Sequence, residues 1–292
     1  MEYQSGFFGQ WEDGVPTPVA PELLHISGSG LTMLYRSRTD GRNRLYKVLS
    51  PQFRGDPLYE SLLRKEFEIG YSLTHPGICA YYSFTTLSDL GNAIEMEWIE
   101  GRTLREILSE HNPLPGKNAL AILDELLDAI SYMHSKQVVH RDLKPENIMV
   151  TNSGKHIKII DFGFSDSDFH FTSNGPAGTA AYAAPELLAG GKTDQRADIW
   201  SLGAIMKELV PRYRSIWRRC MVTDPADRYQ DAGQIKAAIK KRTRAKVWIT
   251  VVVILIAILI TALMLKTYGP SDVDSLVREA EEAISLKIST LS

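Results

Sequence analysis

Hydrophobic and polar positions along the first third of the chain change from a strand-like to a helical period. From Leu23 to Leu49, short runs rich in β-formers surround the glycines of residues 28–30 and a turn at residues 40–41. Asp56 and Pro57 then provide an N-cap and a first helical position. The apolar residues that follow keep a near-helical spacing as far as residues 75–76. This segment therefore predicts a small sheet followed by one amphipathic helix.

The next part of the chain is predominantly helical. After two more strand-like runs, residues 119–134 carry apolar side chains on one face, which predicts an amphipathic helix. Strands are predicted at 148–150 and 157–160, on either side of a turn at 152–154, and a further helix carries the apolar residues of 199–209. The pattern indicates a small β-rich part before a larger helical part.

A different pattern occupies residues 247–265, which read VWITVVVILIAILITALML without a single charge. At roughly 1.5 Å per residue, a helix of this length nearly matches a hydrocarbon core of about 30 Å. We therefore predict one transmembrane helix at 247–265 rather than a buried core helix.

The charges on either side of this segment predict its orientation. Lys240 and the basic juxtamembrane segment 241–246 precede it, whereas Lys266 stands almost alone after it. By the positive-inside rule, the long N-terminal part is cytoplasmic and the tail 266–292 lies on the other side. The expectation is a single-pass protein of the cell membrane whose N-terminal part faces the cytoplasm.

Composition narrows the remaining classes of function. The 292 residues are 44% hydrophobic and 23% charged, as in folded proteins, with a net charge of -2 that does not favour nucleic-acid binding. The two cysteines, Cys79 and Cys220, fit neither a disulfide framework nor a zinc site, which indicates a reducing compartment.

Nine short motifs follow one another in a fixed order. They are ISGSG (26–30), YKVL (46–49), HPGI (75–78), MEWIEG (96–101), HRDLKPEN (140–147), DFG (161–163), GTAAYAAPE (178–186), DIWSLG (198–203) and DPADRY (224–229). In this order the chain resembles eukaryotic-type (Hanks-type) serine/threonine protein kinases, including membrane-anchored bacterial members.

The resemblance implies an α+β, bilobal protein-kinase-like fold followed by the transmembrane helix. After a lead-in at 1–22, the kinase domain is expected at 23–240, with a β-rich N-lobe at about 23–95 and a helical C-lobe at about 100–240.

The resemblance also implies roles for four residues in phosphate transfer and metal binding. Asp142 matches the aspartate that accepts the proton of the substrate hydroxyl, and Lys144 the lysine that reaches the transferring phosphate. Asn147 and Asp161 match the residues that bind Mg²⁺, with Mn²⁺ as a possible substitute, and their side chains supply the hard oxygen ligands that this ion needs.

Lys47 matches the lysine that binds the α- and β-phosphates of ATP, and a carboxylate must hold it in place. We expect that partner to be Glu66 on the helix before residue 76. Glu68 is the alternative, although it lies on another side of the helix.

The remaining nucleotide contacts fall on backbone groups. Gly28 and Gly30 would let the backbone approach phosphates, and the backbone of Glu97 and Ile99 would bind adenine beside Met96. A simple hairpin turn is the alternative for the two glycines. This chain departs from the family pattern at Met33, Tyr35 and Leu45, which bears on nucleotide affinity and not on the fold.

Three further residues have structural roles by the same resemblance. Glu186 is expected to pair with Arg228, and Asp198 to accept hydrogen bonds from the backbone of the catalytic loop.

Arg141 indicates control by phosphate on the segment 161–186, whose hydroxyls are Thr172, Ser173 and Thr179.

The predicted function is transfer of the γ-phosphate of ATP to serine or threonine hydroxyls of protein substrates. A pseudokinase that binds nucleotide and signals by shape is the main alternative, which Met33 and Leu45 keep open. A small-molecule kinase is a third reading, disfavoured by the motifs at 178–186 and 198–203.

Two features lie outside the family pattern. Only 28 residues separate Trp200 from Arg228, and this short stretch carries Arg212, Arg214, Arg218 and Arg219, either as a solvated face or as contacts to an acidic partner or membrane. Beyond an expected break at Gly269-Pro270, an amphipathic helix is predicted, either as an anchor or as a self-association stripe. The apolar positions of that stripe are Val273, Val277, Ala280, Ile284, Ile288 and Leu291.

Overall fold

The computed structural model describes residues 21–39, 41–110, 114–152, 156–162, 179–191 and 193–289. The chain divides into two compact units, Met1–Ala237 and Ala238–Ser292. Most of the predicted lead-in, the turn residues 40 and 153–154, and the expected phosphorylation sites Thr172 and Ser173 lie outside the described residues.

The first unit begins with a five-stranded antiparallel sheet in the order β1-β2-β3-β5-β4. Its strands are β1 (Glu22–Ile26), β2 (Thr32–Thr39), β3 (Arg42–Leu49), β4 (Tyr81–Leu87) and β5 (Gly91–Glu97). The neighbouring inner strands β3 and β5 contribute fully buried residues to the core of this lobe, namely Val48, Ala93 and Ile94. The small β-rich part is confirmed, and β3 places Lys47 near the centre of the sheet.

Helix α1 (Pro57–Ser72) packs against this sheet. It starts as predicted, because the Asp56 side chain accepts a hydrogen bond from the Leu58 backbone N–H and Pro57 occupies the first helical position. It ends at Ser72, three residues before His75, rather than at the proline. One face of the helix buries Leu63, Glu66 and Gly70. A carboxylate therefore points into the lobe where an apolar residue would ordinarily lie.

The second lobe is built around two helices. The apolar face of α3 (Gly116–Ser135) is buried along its whole length, and α5 (Arg196–Leu209) is buried on nearly every side. Three short strands, β6 (Gly101–Thr103), β7 (Ile148–Thr151) and β8 (Ile157–Ile159), form an antiparallel sheet beside them. The helices and strands predicted here are present, and no boundary is shifted by more than three residues.

Shorter elements complete this lobe. They are the helices α2 (Leu104–Leu108), α4 (Pro185–Leu188) and α6 (Arg214–Cys220), and the 3-10 turns Pro145–Asn147, Thr179–Ala181, Pro211–Tyr213 and Pro225–Asp227. One more 3-10 turn, Pro51–Phe53, lies between β3 and α1 in the first lobe. Helix α6 lies tight against α5, since a Cβ placed on Gly203 would come within 2.6 Å of the Cys220 Cβ.

The last helix, α7, runs from Ala232 to Ser289. Within it, Ala232–Met264 is long and apolar enough to cross a membrane; its most apolar window has a mean hydropathy of 3.0, and none of that window is buried. The expected break at Gly269-Pro270 is wrong, because the helix continues through both residues. A proline removes one backbone hydrogen bond, and a long helix retains its remaining ladder on either side.

Candidate active site

The residues of 140–147 and Asp161 meet because β7 and β8 form an antiparallel pair. Asn147 immediately precedes β7, and Ile160 follows β8; the Ile160 backbone N–H donates to the Asn147 carbonyl at 3.0 Å. The chain therefore enters and leaves this hairpin at the same end. Asp161 lies one residue beyond that hydrogen bond.

Asp142 is buried and holds two neighbours of its own loop. Its Oδ2 accepts hydrogen bonds from the Lys144 Nζ at 2.7 Å and from the Asn147 Nδ2 at 3.0 Å, and its backbone carbonyl accepts from the same amide at 2.9 Å. Burial raises the pKa of Asp142, the charge of Lys144 lowers it, and the nearby carboxylate of Asp161 raises it again; the net direction is upward. The structure thus brings together the three residues predicted to be catalytic, and the loop holds a carboxylate whose proton affinity is increased.

Asn147 and Asp161 have the donor set that a small divalent cation needs. The Asn147 amide nitrogen donates to Asp142, which leaves its amide oxygen as the atom able to bind a cation. Asp161 contributes a carboxylate at the same end of the hairpin, and its side chain is 37% exposed. Two hard oxygen donors fit Mg²⁺ or Mn²⁺, because phosphate and water oxygens can complete the octahedron.

Lys47 lies between two carboxylates. Its Nζ donates to the Glu66 Oε1 at 2.7 Å and to the Asp161 Oδ1 at 2.9 Å. Lys47 and Glu66 are both buried. The predicted pairing with Glu66 is confirmed, and the alternative partner, Glu68, is exposed on another side of α1.

Electrostatics keep Lys47 positively charged. Burial alone would lower its pKa, but the charges and hydrogen bonds of Asp161 and Glu66 raise it above the ordinary value for lysine. Burial raises the pKa of Glu66, whereas the Lys47 ammonium and the Tyr81 hydroxyl lower it. The ammonium is therefore fixed in a site that two acidic groups from distant parts of the chain define.

Backbone strain is concentrated at this site. Arg141 and Asp161 have φ angles of 62° and 67°, in the left-handed region that non-glycine residues rarely adopt. Asp198, fully buried on α5, accepts hydrogen bonds from the backbone N–H groups of His140 and Arg141, both at 2.9 Å. The predicted contact of Asp198 with the catalytic loop is confirmed, and it holds the strained residue next to Asp142.

Aromatic packing fixes the residue after Asp161. The Phe162 ring is buried, with its centroid 5.6 Å from that of Tyr81 and 5.7 Å from that of His140. Phe162 therefore links β4 of the first lobe to the catalytic loop of the second.

The residues expected to contact nucleotide through their backbone lie in the loop between β1 and β2 and at the end of β5. Gly28 and Gly30 lie in the loop between β1 and β2, and Gly30 has a φ of 69° that suits glycine. Met96 is buried near the end of β5, Glu97 is its last residue, and Ile99 lies two residues beyond it, outside the strand. Because this loop closes a β-hairpin, its geometry fits both interpretations of the two glycines, as phosphate contacts and as a simple hairpin turn.

The predicted pair of Glu186 and Arg228 is also present. The fully buried guanidinium of Arg228 forms two parallel hydrogen bonds to the Glu186 carboxylate, at 2.7 and 2.8 Å. It also donates to the backbone carbonyls of Val222, Thr223 and Arg196. This side chain connects the end of the segment 178–186 to the start of α5.

Sequence reasoning missed two groups of residues. Tyr81 donates a hydrogen bond from its hydroxyl to the Glu66 Oε1 at 3.0 Å. Arg105 on α2 binds the Glu146 Oε1 at 2.9 Å, the Glu208 Oε2 at 3.0 Å and the hydroxyl of Tyr182, which itself donates to Glu208. The signal available for Tyr81 was a glycine, Gly70, on the buried face of a helix; the sequence offers no comparable signal for Arg105.

The arginines of the shortened stretch are all exposed. The guanidinium groups of Arg212, Arg218 and Arg219 lie over the rings of their neighbours Tyr213, Trp217 and Tyr229, at 5.4, 6.0 and 4.6 Å from the ring centroids. These contacts are within the lobe itself, which favours the solvated-face interpretation.

Comparison with known proteins agrees with this geometry. A family model described as the protein kinase domain matches residues 28–277. Over 193 residues the chain is 33% identical to the serine/threonine-protein kinase PrkC of Bacillus subtilis, covering 64% of this chain and 30% of PrkC. Over 202 residues it is 31% identical to the serine/threonine-protein kinase PknB of Mycobacterium leprae, covering 65% and 31% respectively. The chain thus spans about a third of the length of the curated relatives it matches.

Among solved structures, the PknI kinase domain of Mycobacterium tuberculosis has the same fold. The TM-score is 0.60 at 23% sequence identity, covering 75% of this chain and 94% of that one. The bilobal architecture predicted from the motif order is therefore confirmed.

Proposed function

The chain belongs to the protein kinase family, and on that premise we propose that it transfers the γ-phosphate of ATP to serine or threonine hydroxyls of protein substrates. The observation that carries the proposal is a pair of hydrogen-bonded networks built on buried residues, Lys47 with Glu66 and Asp161, and Asp142 with Lys144 and Asn147. Phosphoryl transfer requires positioning and charge neutralisation more than covalent chemistry by the protein, and these networks supply both.

Each residue then has one role. Lys47, held by Glu66, binds the α- and β-phosphates of ATP. Asn147 and Asp161 would hold Mg²⁺, or Mn²⁺ in its place; the ion, when bound, neutralises charge on the phosphate oxygens. Asp142 orients the substrate hydroxyl and accepts its proton, and its raised pKa suits that role. Lys144, bonded to Asp142 at 2.7 Å, would bind the transferred phosphate.

The adenine and the phosphate loop complete the proposed nucleotide site. The backbone of Glu97 and Ile99 would bind the adenine edge beside Met96, and the hairpin loop with Gly28 and Gly30 would cover the phosphates. Support comes from the position of this loop at the end of β1 and β2, next to the strand that carries Lys47.

We further propose that the domain limits are 23–240 for the kinase domain and 247–265 for the membrane span, with the basic segment 241–246 between them. The apolar stretch of α7 and the cations that precede it support anchoring in the cell membrane with the kinase domain in the cytoplasm. Association of two tails beyond the span remains part of this proposal. Of the stripe's side chains the structure describes Val277 and Ala280, both exposed.

The test uses the full-length chain in detergent micelles, with γ-labelled ATP, Mg²⁺ and casein as the acceptor. We expect label on phosphoserine or phosphothreonine and a complete loss of transfer in Asp142→Asn. The control is Asp89→Asn, the same chemical change at an exposed residue in the turn between β4 and β5, which should transfer at the wild-type rate.

Two results would contradict the assignment. Transfer that survives in Asp142→Asn would remove that residue from the mechanism. A nucleotide-induced thermal shift without transfer to any protein would support the pseudokinase alternative instead.

A further inference from the structure

Tyr81 links the ion pair of the nucleotide site to the sheet of the first lobe. It is the first residue of β4 and is 5% exposed. Its hydroxyl donates to the Glu66 Oε1 at 3.0 Å, and the same oxygen accepts from the Lys47 Nζ at 2.7 Å. One carboxylate oxygen is thus held from two sides, by a residue of β3 and a residue of β4.

The ring of Tyr81 occupies space that α1 leaves open. A Cβ placed on Gly70 would come within 2.6 to 2.7 Å of three atoms of this ring, so no larger residue fits there unless the ring moves. Gly70 lies four residues after Glu66, on the same face of α1. Glycine inside a helix costs about 0.5–1 kcal/mol relative to alanine. The helix therefore gives up local stability at a position where the tyrosine ring packs against it.

The same ring contacts the segment that carries Asp161. Its centroid lies 5.6 Å from that of Phe162, with the planes inclined by 53°. Tyr81 consequently touches α1 through Gly70 and Glu66, and the residue after Asp161 through Phe162. Both carboxylates that bind Lys47 belong to segments packed against this one side chain.

We propose that Tyr81 is a positioning residue for nucleotide binding: its hydroxyl donates a hydrogen bond to the Glu66 carboxylate and orients it toward Lys47. The proposal rests on the proposed function, because it assigns a role in holding the lysine that binds ATP phosphates. The contact depends on Tyr81 and on Gly70, the glycine of α1 that leaves room for its ring.

The physical reason is the need to satisfy a buried carboxylate. The titratable and charged groups that face Glu66 are Lys47 from β3, Tyr81 from β4 and Asp161 after β8. Burial raises the pKa of Glu66, and the hydrogen bond from Tyr81 is one of the interactions that lower it. Burial also raises the pKa of Tyr81 well above its usual range, so the hydroxyl keeps the proton that it donates. Removing the hydroxyl should leave Glu66 easier to protonate and less firmly oriented.

The experiment compares Tyr81→Phe with Tyr82→Phe in the full-length chain in detergent micelles. Tyr82, the next residue of β4, is 42% exposed, so its hydroxyl loss is a matched control. The first readout is the Kd of a fluorescent ATP analogue from pH 5 to 8, and the second is the KM for ATP against kcat. For Tyr81→Phe we expect a Kd and a KM for ATP raised about tenfold, kcat changed less than threefold, and an unchanged KM for the protein acceptor.

The pH dependence separates this role from simple packing. In Tyr81→Phe the loss of affinity at acidic pH should begin at a higher pH than in the wild type, because Glu66 has lost a hydrogen bond to its charged form. Tyr82→Phe should leave both the affinity and its pH profile unchanged. Gly70→Ala, which favours helix formation but displaces the ring, should also raise the Kd.

The outcomes are decisive because binding is measured separately from transfer. A wild-type Kd and pH profile in Tyr81→Phe would overturn the proposal. A wild-type Kd in Gly70→Ala would also contradict it, because a displaced ring carries the hydroxyl away from Glu66. Binding without transfer in the wild type would contradict the proposed function while the comparison of Kd values still tested Tyr81. A wild-type chain that binds no nucleotide would overturn both.

Discussion

Replacing Asp198 by asparagine should damage both the stability and the activity of this protein. The carboxylate is fully buried at the start of α5, where its Oδ2 binds the His134 Nε2 and the His140 backbone N–H, and its Oδ1 binds the Arg141 backbone N–H. All three distances are 2.9 Å. An asparagine has a single acceptor oxygen, so whichever way its amide is placed, at least one of these donors faces an NH₂ group.

The magnitude follows from those three contacts. A hydrogen bond to a charged acceptor contributes about 1.5–3 kcal/mol, and a buried donor left without a partner costs about 1–3 kcal/mol. The expected loss is about 3–5 kcal/mol in the free energy of unfolding, or roughly 6–20 °C in Tm for a domain of this size. Either Arg141, with its φ of 62°, or the adjacent His140 would also lose the contact that holds its backbone. Because Asp142 is the next residue, phosphate transfer should fall by roughly a hundredfold.

The pH dependence gives an independent check. Burial alone would raise the pKa of Asp198, but the hydrogen bond and charge of His134 and the backbone N–H of His140 lower it below its usual value. A carboxyl group with a lowered pKa in the folded state stabilises the fold at pH values above its unfolded pKa of about 3.9. That contribution is lost as the pH falls through the folded pKa, so the wild type should lose its advantage over Asp198→Asn below about pH 4.

Thermal unfolding of the full chain in detergent, followed by tryptophan fluorescence, measures the first effect, and labelled ATP measures the second. Asp89→Asn is the control and should stay within about 0.5 kcal/mol of the wild type. A loss below about 1 kcal/mol in Asp198→Asn, or a difference from the wild type that is the same at pH 3 and pH 7, would refute the reasoning.

Three further predictions rest on other parts of the molecule. Arg228→Met keeps the side-chain volume but leaves the Glu186 carboxylate without its cation, so the free energy of unfolding should fall by about 3–5 kcal/mol, measured by urea denaturation. Burial raises the pKa of Cys79 and of Cys220 to about 12, so neither thiol should react with a thiol-specific reagent at pH 8 until the protein is unfolded. If the tail pairs, a chain ending at Lys266 should autophosphorylate more slowly than the full-length chain at equal density in liposomes.

Each of these predictions has a control or a result that would contradict it. Arg218→Ala removes an exposed arginine from α6 and should cost less than about 0.5 kcal/mol, so an equal loss for Arg228→Met would contradict the ion-pair argument. Rapid labelling of either cysteine in the folded protein would show that the thiol is not enclosed. Equal autophosphorylation rates, both linear in surface density, would leave the tail as an anchor only.

The sequence could predict those parts of the site that depend on residue order along single elements. The resemblance assigned Asp142, Asn147 and Asp161, which flank one β-hairpin. It also assigned Glu66, and helical periodicity placed the alternative, Glu68, on another side of α1. The Asp56 cap of α1 was equally visible, because capping needs only neighbouring residues.

What the sequence could not predict depends on contacts between elements. The hydrogen bond from Tyr81 to Glu66 needs the relative placement of β4 and α1, and the contacts of Arg105 with Glu146 and Glu208 join residues 41 and 103 positions apart. No periodicity encodes such distances. The break expected at Gly269-Pro270 is wrong for a related reason, since local preference is a weak guide inside a long helix.

Helix α5 binds several parts of the second lobe that are far apart along the chain. Asp198 at its start binds the catalytic loop, Ser201 donates to the Tyr182 carbonyl at 2.8 Å, and Glu208 near its end binds Arg105 and Tyr182. The loop that carries Asp142 and the segment around Tyr182 are therefore both hydrogen-bonded to the same helix. If α5 shifts within the lobe, both segments shift with it, and their mutual spacing stays the same. The distance between these two segments is therefore less sensitive to a movement of α5 than the position of either segment.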